Sequence, residues 1–214
     1  MTLADRLKGI KRGGGVADGK YFPMSNTSVN PIYLNTGNTG QSINGQTYTF
    51  IPNDGIYFDE VATNFTSLFR GSSLATEPDM LFWDVSRVVD MTFMFFQTSS
   101  FNQDLSSWNV SSVTSMYAMF YLASSFNQDL SSWNVSSVID MDRMFYQTTS
   151  FNQDLSSWNV SSVIDMDSMF SGASSFNQDL SNWCVSLISS LPTNFDTGAI
   201  SWVLPRPIWG TCPA

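Results

Sequence analysis

The sequence predicts an α/β solenoid of about five stacked units of 25 residues with an extended N-terminal arm, and three observations predict it. The string FNQDLSSWNVSSV begins at Phe101, Phe126 and Phe151, and FNQDLSNWCVS begins at Phe176, a period of 25 without slippage. Within a unit the apolar residues Leu105, Trp108, Val110, Val113, Met116, Met119 and Phe120 are spaced first by two and then by threes and fours, joining a strand period to a helix period. Ser137 with Asp140, and Ser162 with Asp165, stand in the S-x-x-D relation of a helix start.

In chain order, the arm comes first, over residues 1–50. Leu3, Leu7 and Ile10 share one side of a short amphipathic helix that would stop at Gly13, Gly14 and Gly15. Asn, Gly, Thr and Ser then surround short alternating runs such as QTYTF, which read as strands or an extended docking arm capping the first unit.

The body, residues 51–190, is expected to repeat one unit: a short inward-facing strand from Trp108 to Val110, a helical turn or two from about Val113 to Tyr121, and a polar return through Ser-Ser-Phe-Asn-Gln-Asp. A degenerate copy carries Trp83, Val85, Val88, Met91, Met94 and Phe95, each 25 residues before its counterpart. Tyr57, Phe65, Leu68 and Phe69 match at an offset of 26. One unit alone could not offset its backbone entropy; a stack can, because every unit buries about seven large apolar side chains at roughly 1.5–3 kcal/mol each. Residues 191–214 complete the chain as a Pro- and Trp-rich cap, LPRPIWGTCPA.

This unit looks like a leucine-rich repeat in which methionine, phenylalanine and tryptophan replace most leucines. More closely, FNQDLSSWNVSSVxxMxxMF resembles the BspA-like (DUF285-type) surface-protein repeats, over roughly residues 57–190. The resemblance implies a curved α/β solenoid and a surface or adhesive role, with no shared reaction from which to borrow a catalytic residue.

Several columns of identical residues are candidate sites. Asn109, Asn134 and Asn159 lie between inward Trp and Val and so face outward; each opens an N-V-S sequon. An asparagine ladder is the preferred reading, with glycosylation and direct ligand contact, shared with Ser111, Ser136 and Ser161, as alternatives. The serines are also small enough to serve tight stacking. Asp104, Asp129, Asp154 and Asp179 form an acidic column. Each carboxylate is expected to accept backbone N–H bonds in its own turn, the alternative being a weak Ca²⁺ column. Cys184 and Cys212 either bridge, clamping the tail over the open end, or remain two free thiols.

Charge and composition narrow the function. The chain carries 9 basic and 18 acidic residues, net −9, with a pI near 4.1. Residues 1–20 are net +3, through Arg6, Lys8, Lys11, Arg12 and Lys20, whereas the remainder is −12. An acidic body of this kind is expected to repel nucleic acid. No run of 18 apolar residues is present, so no membrane span is expected, and MTLADRLKGIKRGGG lacks the apolar core of a secretory signal. Histidine is absent, and neither a phosphate-binding glycine loop nor a metal-ligand cluster is apparent, so neither catalysis nor a cofactor is expected. Two roles remain: a virion component such as a capsid decoration or tail fibre, docked to other proteins of the assembly through Arg6, Lys8, Lys11 and Arg12, or a cell-surface adhesin that binds glycan or protein. Oligomerisation is expected in the first.

Overall fold

Methionine and phenylalanine recurring every three or four residues, in blocks that themselves recur every 25, demand a backbone that repeatedly turns the same side chains inward. In the computed structural model, which describes residues 41–43, 46–48, 64–71 and 85–213, tight turns perform that task rather than helices. Leu68, Met94, Met119, Met144 and Met169 each donate their N–H to the residue three before, at 3.1–3.2 Å. Three residues per turn produce the same three-and-four apolar spacing as a helix, so the pattern alone does not separate them.

The expected α/β class is therefore wrong. No helix occurs among the described residues, and their strands amount to one small antiparallel hairpin, β1 (Gln41–Ile43) with β2 (Gln46–Tyr48), in register Gln41 to Tyr48. A right-handed helix over 113–121 is blocked by Ala118 at φ 51°, with Leu122 at φ 59° just beyond it. The expected strand at Trp108 to Val110 forms no ladder; Trp108 N–H instead closes a turn onto the Leu105 carbonyl. Between successive copies only isolated parallel bridges remain, joining Asn64, Asp90, Ser115, Asp140 and Asp165 in sequence.

What holds the copies together is a stack of six hydrogen-bonded rungs: residues 64–71, 90–97, 115–122, 140–147, 165–172 and 193–198. In the third rung, Met116, Ala118, Phe120 and Leu122 donate their N–H groups to the carbonyls of Asp140, Asp142, Met144 and Tyr146, at 2.8–3.0 Å. The same pattern recurs at each junction, always from one rung's N–H to the next rung's C=O. Left-handed residues at two fixed positions aim those N–H groups forward. Ser67, Phe93, Ala118, Arg143, Ser168 and Asn194 occupy one; Gly71, Gln97, Leu122, Gln147, Gly172 and Gly198 occupy the other.

The core runs the length of the stack. Phe69, Phe95, Phe120, Phe145 and Phe170 form one ring column at 5.4–5.6 Å, and Phe101, Phe126, Phe151 and Phe176 a second at 5.7–6.0 Å. Val, Met and Trp columns complete it. Each buried indole finds a partner one copy back: Trp133, Trp158 and Trp183 donate Nε1–H to the carbonyls of Leu105, Leu130 and Leu155 at 2.9–3.0 Å. The expected arm, residues 1–50, lies outside the described residues apart from the hairpin. The segment assigned as a cap supplies the sixth rung, over which Phe195, Trp202 and Trp209 pack together.

Candidate functional site

The repeated polar block is occupied with holding the stack. Asn109, Asn134 and Asn159 do face outward, yet each side-chain oxygen accepts the N–H of Ser111, Ser136 or Ser161 two residues on, at 3.1–3.2 Å. The ladder expected there is formed instead by Asn102, Asn127, Asn152 and Asn177. Their Oδ1 atoms accept the N–H of Asn127, Asn152, Asn177 and, for the last, Val203 and Leu204 one copy on, at 2.8–3.0 Å. Gln128, Gln153 and Gln178 reach back to the carbonyls of Asn102, Asn127 and Asn152 at 2.9–3.0 Å. Serine hydroxyls do the same: Ser137 Oγ donates to the Ser111 carbonyl at 2.8 Å, so Ser137 bridges copies and does not cap a helix.

Asp104, Asp129, Asp154 and Asp179 each accept the N–H of the serine two residues later at 2.8–2.9 Å. The Ser131 N–H holds the Asp129 carboxyl below the usual carboxylate range, and the Ser181 bonds act likewise on Asp179. Among the described residues no three acidic or thiol side chains gather as a metal site. Cys184 and Cys212 are joined, their Cα atoms 3.9 Å apart, tying the tail to the last full copy. Arg6, Lys8, Lys11 and Arg12 lie outside the described residues.

A different surface emerges from the positions where the three cleanest copies differ. Across residues 101–175, the first thirteen residues of each copy are identical, and the differences fall in the rungs and the residues flanking them. One column reads Phe96, Tyr121, Tyr146, Ser171; another Thr92, Tyr117, Asp142, Asp167; a third Phe93, Ala118, Arg143, Ser168. Most of these side chains are half-buried, so they present an edge to solvent. Phe96, Tyr121 and Tyr146 stack at 4.7 and 4.5 Å, and Phe93 meets Tyr117 edge-on at 4.9 Å. Arg70 lies over Phe96 at 4.5 Å and over Phe93 at 5.2 Å. Arg143 donates Nη1–H to the Tyr117 hydroxyl at 3.2 Å and pairs with Asp142.

Burial and the neighbouring Tyr146 raise the Tyr121 phenol above its ordinary value. Asp140 is raised by burial and by the charges of Asp165 and Asp90. Asp142 is pushed up to about 6, first by burial, with Arg143 opposing and Asp165, Asp140 and Asp167 adding to the rise. Rings, hydroxyls, the guanidinium groups of Arg70 and Arg143 and a group of carboxylates therefore share one side of the stack, the residue types that dominate binding at protein surfaces. Reading identical columns as the candidate sites directs attention away from this side. Its signal in the sequence is the opposite one: departure from an otherwise verbatim repeat.

Scaffold residues held constant by the hydrogen bonds between copies, beside a face free to vary, define a repeat protein. The chain belongs to the family described as Mycoplasma protein of unknown function, DUF285, whose model matches residues 63–183 and 132–199. This is the BspA-like family. Searches of curated proteins and of solved structures found no match.

Proposed function

We propose that this protein is a non-enzymatic recognition protein, a surface adhesin whose stacked copies present the aromatic and charged face around Tyr117, Tyr121, Arg143 and Tyr146 to a glycan or protein. The observation that carries this reading is the placement of sequence variation. The Asn, Gln and Ser side chains of the verbatim thirteen-residue block bridge copies, as Asn102, Asn127, Gln128 and Ser137 do, whereas the side chains facing out from the rungs change. Aromatic rings and arginine also contribute most per residue to binding at protein surfaces. The test is binding to a glycan array and to a panel of immobilised host-surface proteins, with the full chain and with the Tyr121→Ala, Tyr146→Ala double variant. Binding that drops at least about tenfold in the variant, with its circular dichroism unchanged, supports the reading. Binding retained in full by the variant rejects this face.

A virion setting is a second reading, favoured by the basic residues Arg6, Lys8, Lys11 and Arg12 on an otherwise acidic chain. There the arm docks to other capsid or tail-fibre proteins and the stack faces the host. Deleting residues 1–20 then abolishes incorporation into particles; unchanged incorporation removes this reading.

A further inference from the structure

Within the rungs the main-chain pairing is one-way: every backbone–backbone hydrogen bond from one rung to another runs from an N–H to the carbonyl of the following rung, whereas flanking residues such as Thr114, Ile139 and Ile164 donate back to the preceding copy. A stack built this way has unlike ends. At its C-terminal end, Ser168, Phe170 and Gly172 donate to the carbonyls of Thr193, Phe195 and Thr197 at 2.8 Å. The next donors in that register are the N–H groups of Asn194, Asp196 and Gly198, and none of them has an acceptor among the described residues. Asn194 at φ 54° and Gly198 at φ 82° already hold the left-handed conformation that aims the corresponding N–H groups forward in every earlier rung. At the other end, the carbonyls of Thr66, Leu68 and Arg70 occupy the acceptor register filled in the next rung by Thr92, Met94 and Phe96. They likewise accept nothing from the described residues.

The side chains of the last rung and its tail add a second observation. A terminal repeat normally turns a polar surface outward. Here the positions one copy after Ser174 and Asn177 are Ile200 and Val203, which are 82% and 79% exposed, with Ile208 at 68% and Leu191 at 62% nearby in sequence. This end thus combines main-chain donors that are unpaired among the described residues with exposed apolar side chains, on a coil that has kept the stacking geometry.

We infer that a second copy of this chain docks there head-to-tail, its first described rung accepting hydrogen bonds from Asn194, Asp196 and Gly198. Two C-terminal rungs cannot pair with each other in this register, because both offer donors there and the carbonyls of Thr193, Phe195 and Thr197 are already taken by Ser168, Phe170 and Gly172. The contact is therefore heterologous, and repetition extends it into a fibre rather than closing a dimer. Because the chains are acidic overall, added salt favours the contact by screening their repulsion.

Sedimentation equilibrium on the full chain, from low micromolar to submillimolar concentration, is the first test. The average mass should rise with concentration to about twofold or more and rise further in high salt. Ile200→Glu, at a side chain exposed enough to leave the fold alone, should stay monomeric throughout. Orientation is tested by adding a short bismaleimide crosslinker to a mixture of Thr66→Cys chains and Thr193→Cys chains. Mixed dimers should form, and neither variant alone should crosslink. A wild-type mass that stays monomeric at every concentration, wild-type-like association of Ile200→Glu, or crosslinking of Thr193→Cys chains to one another each overturns the inference.

Discussion

At Asp142 one carboxylate oxygen is buried without a hydrogen-bond donor, while the other is paired with Arg143. The residue is 8% exposed, and the charged form suffers both from lost hydration and from the carboxylates of Asp165, Asp140 and Asp167. Its pKa in the folded chain, about 6, lies above the ordinary aspartate value of 3.8, so folding favours the protonated form. The associated stability is fully present below that ordinary value and is lost as pH rises through about 6. Its size is at most about 3 kcal/mol. The thermal midpoint should accordingly fall as pH is raised from about 5 to about 7, and Asp142→Asn should flatten that fall. A second single-residue expectation concerns Gly172, whose φ of 73° is one that side chains with a β-carbon rarely adopt and whose added Cβ would lie 2.7 Å from Gln147 Cγ. Gly172→Ala should lower stability by about 1–2 kcal/mol in chemical denaturation. Neither effect is legible in the sequence. Asp142 reads there as one more surface carboxylate, and left-handed positions filled by Gln97, Leu122 and Gln147 carry no glycine signal.

Among the elements, the rung explains both what the sequence discloses and what it hides. The inward set of Val113, Met116, Met119 and Phe120 is plain from spacing, and all four side chains are buried. The backbone that carries them is not plain, because turns closed three residues back produce the same spacing as helical ones. Outward placement of Asn109 between Trp108 and Val110 follows from alternation, and that residue is exposed. Which asparagine bridges copies does not follow, since Asn102 and Asn109 both recur in all three verbatim copies and only the direction of the neighbouring N–H groups distinguishes them. Tryptophan is the element's anchor: it fills the core and its indole N–H satisfies a carbonyl of the preceding copy. Trp133→Phe keeps most of the apolar volume but leaves the buried Leu105 carbonyl without that donor. It should therefore destabilise by about 1–3 kcal/mol, measured by urea titration, and Asp129→Ala on the exposed surface by less.

For the whole molecule, near-verbatim repetition every 25 residues was enough to place equivalent residues side by side, and the Phe, Trp and Met columns stand where that repetition puts them. The class is not legible in the sequence because the bonds joining rungs are made by alternate residues of irregular turns, a pattern that resembles neither ladder nor helix. The candidate face is hard to read from the sequence because the most conspicuous residues, those repeated identically in every copy, are the ones whose hydrogen bonds serve the scaffold. The rungs themselves are joined by main-chain bonds in one direction, N–H to the carbonyl of the following rung. Trans-hydrogen-bond scalar couplings in a deuterated, ¹³C,¹⁵N-labelled sample report that directly. Couplings should link the amide nitrogens of Ala118, Phe120 and Leu122 to the carbonyl carbons of Asp142, Met144 and Tyr146. Couplings from those amides to carbonyls four residues earlier in the chain would mean a helix and would contradict the account.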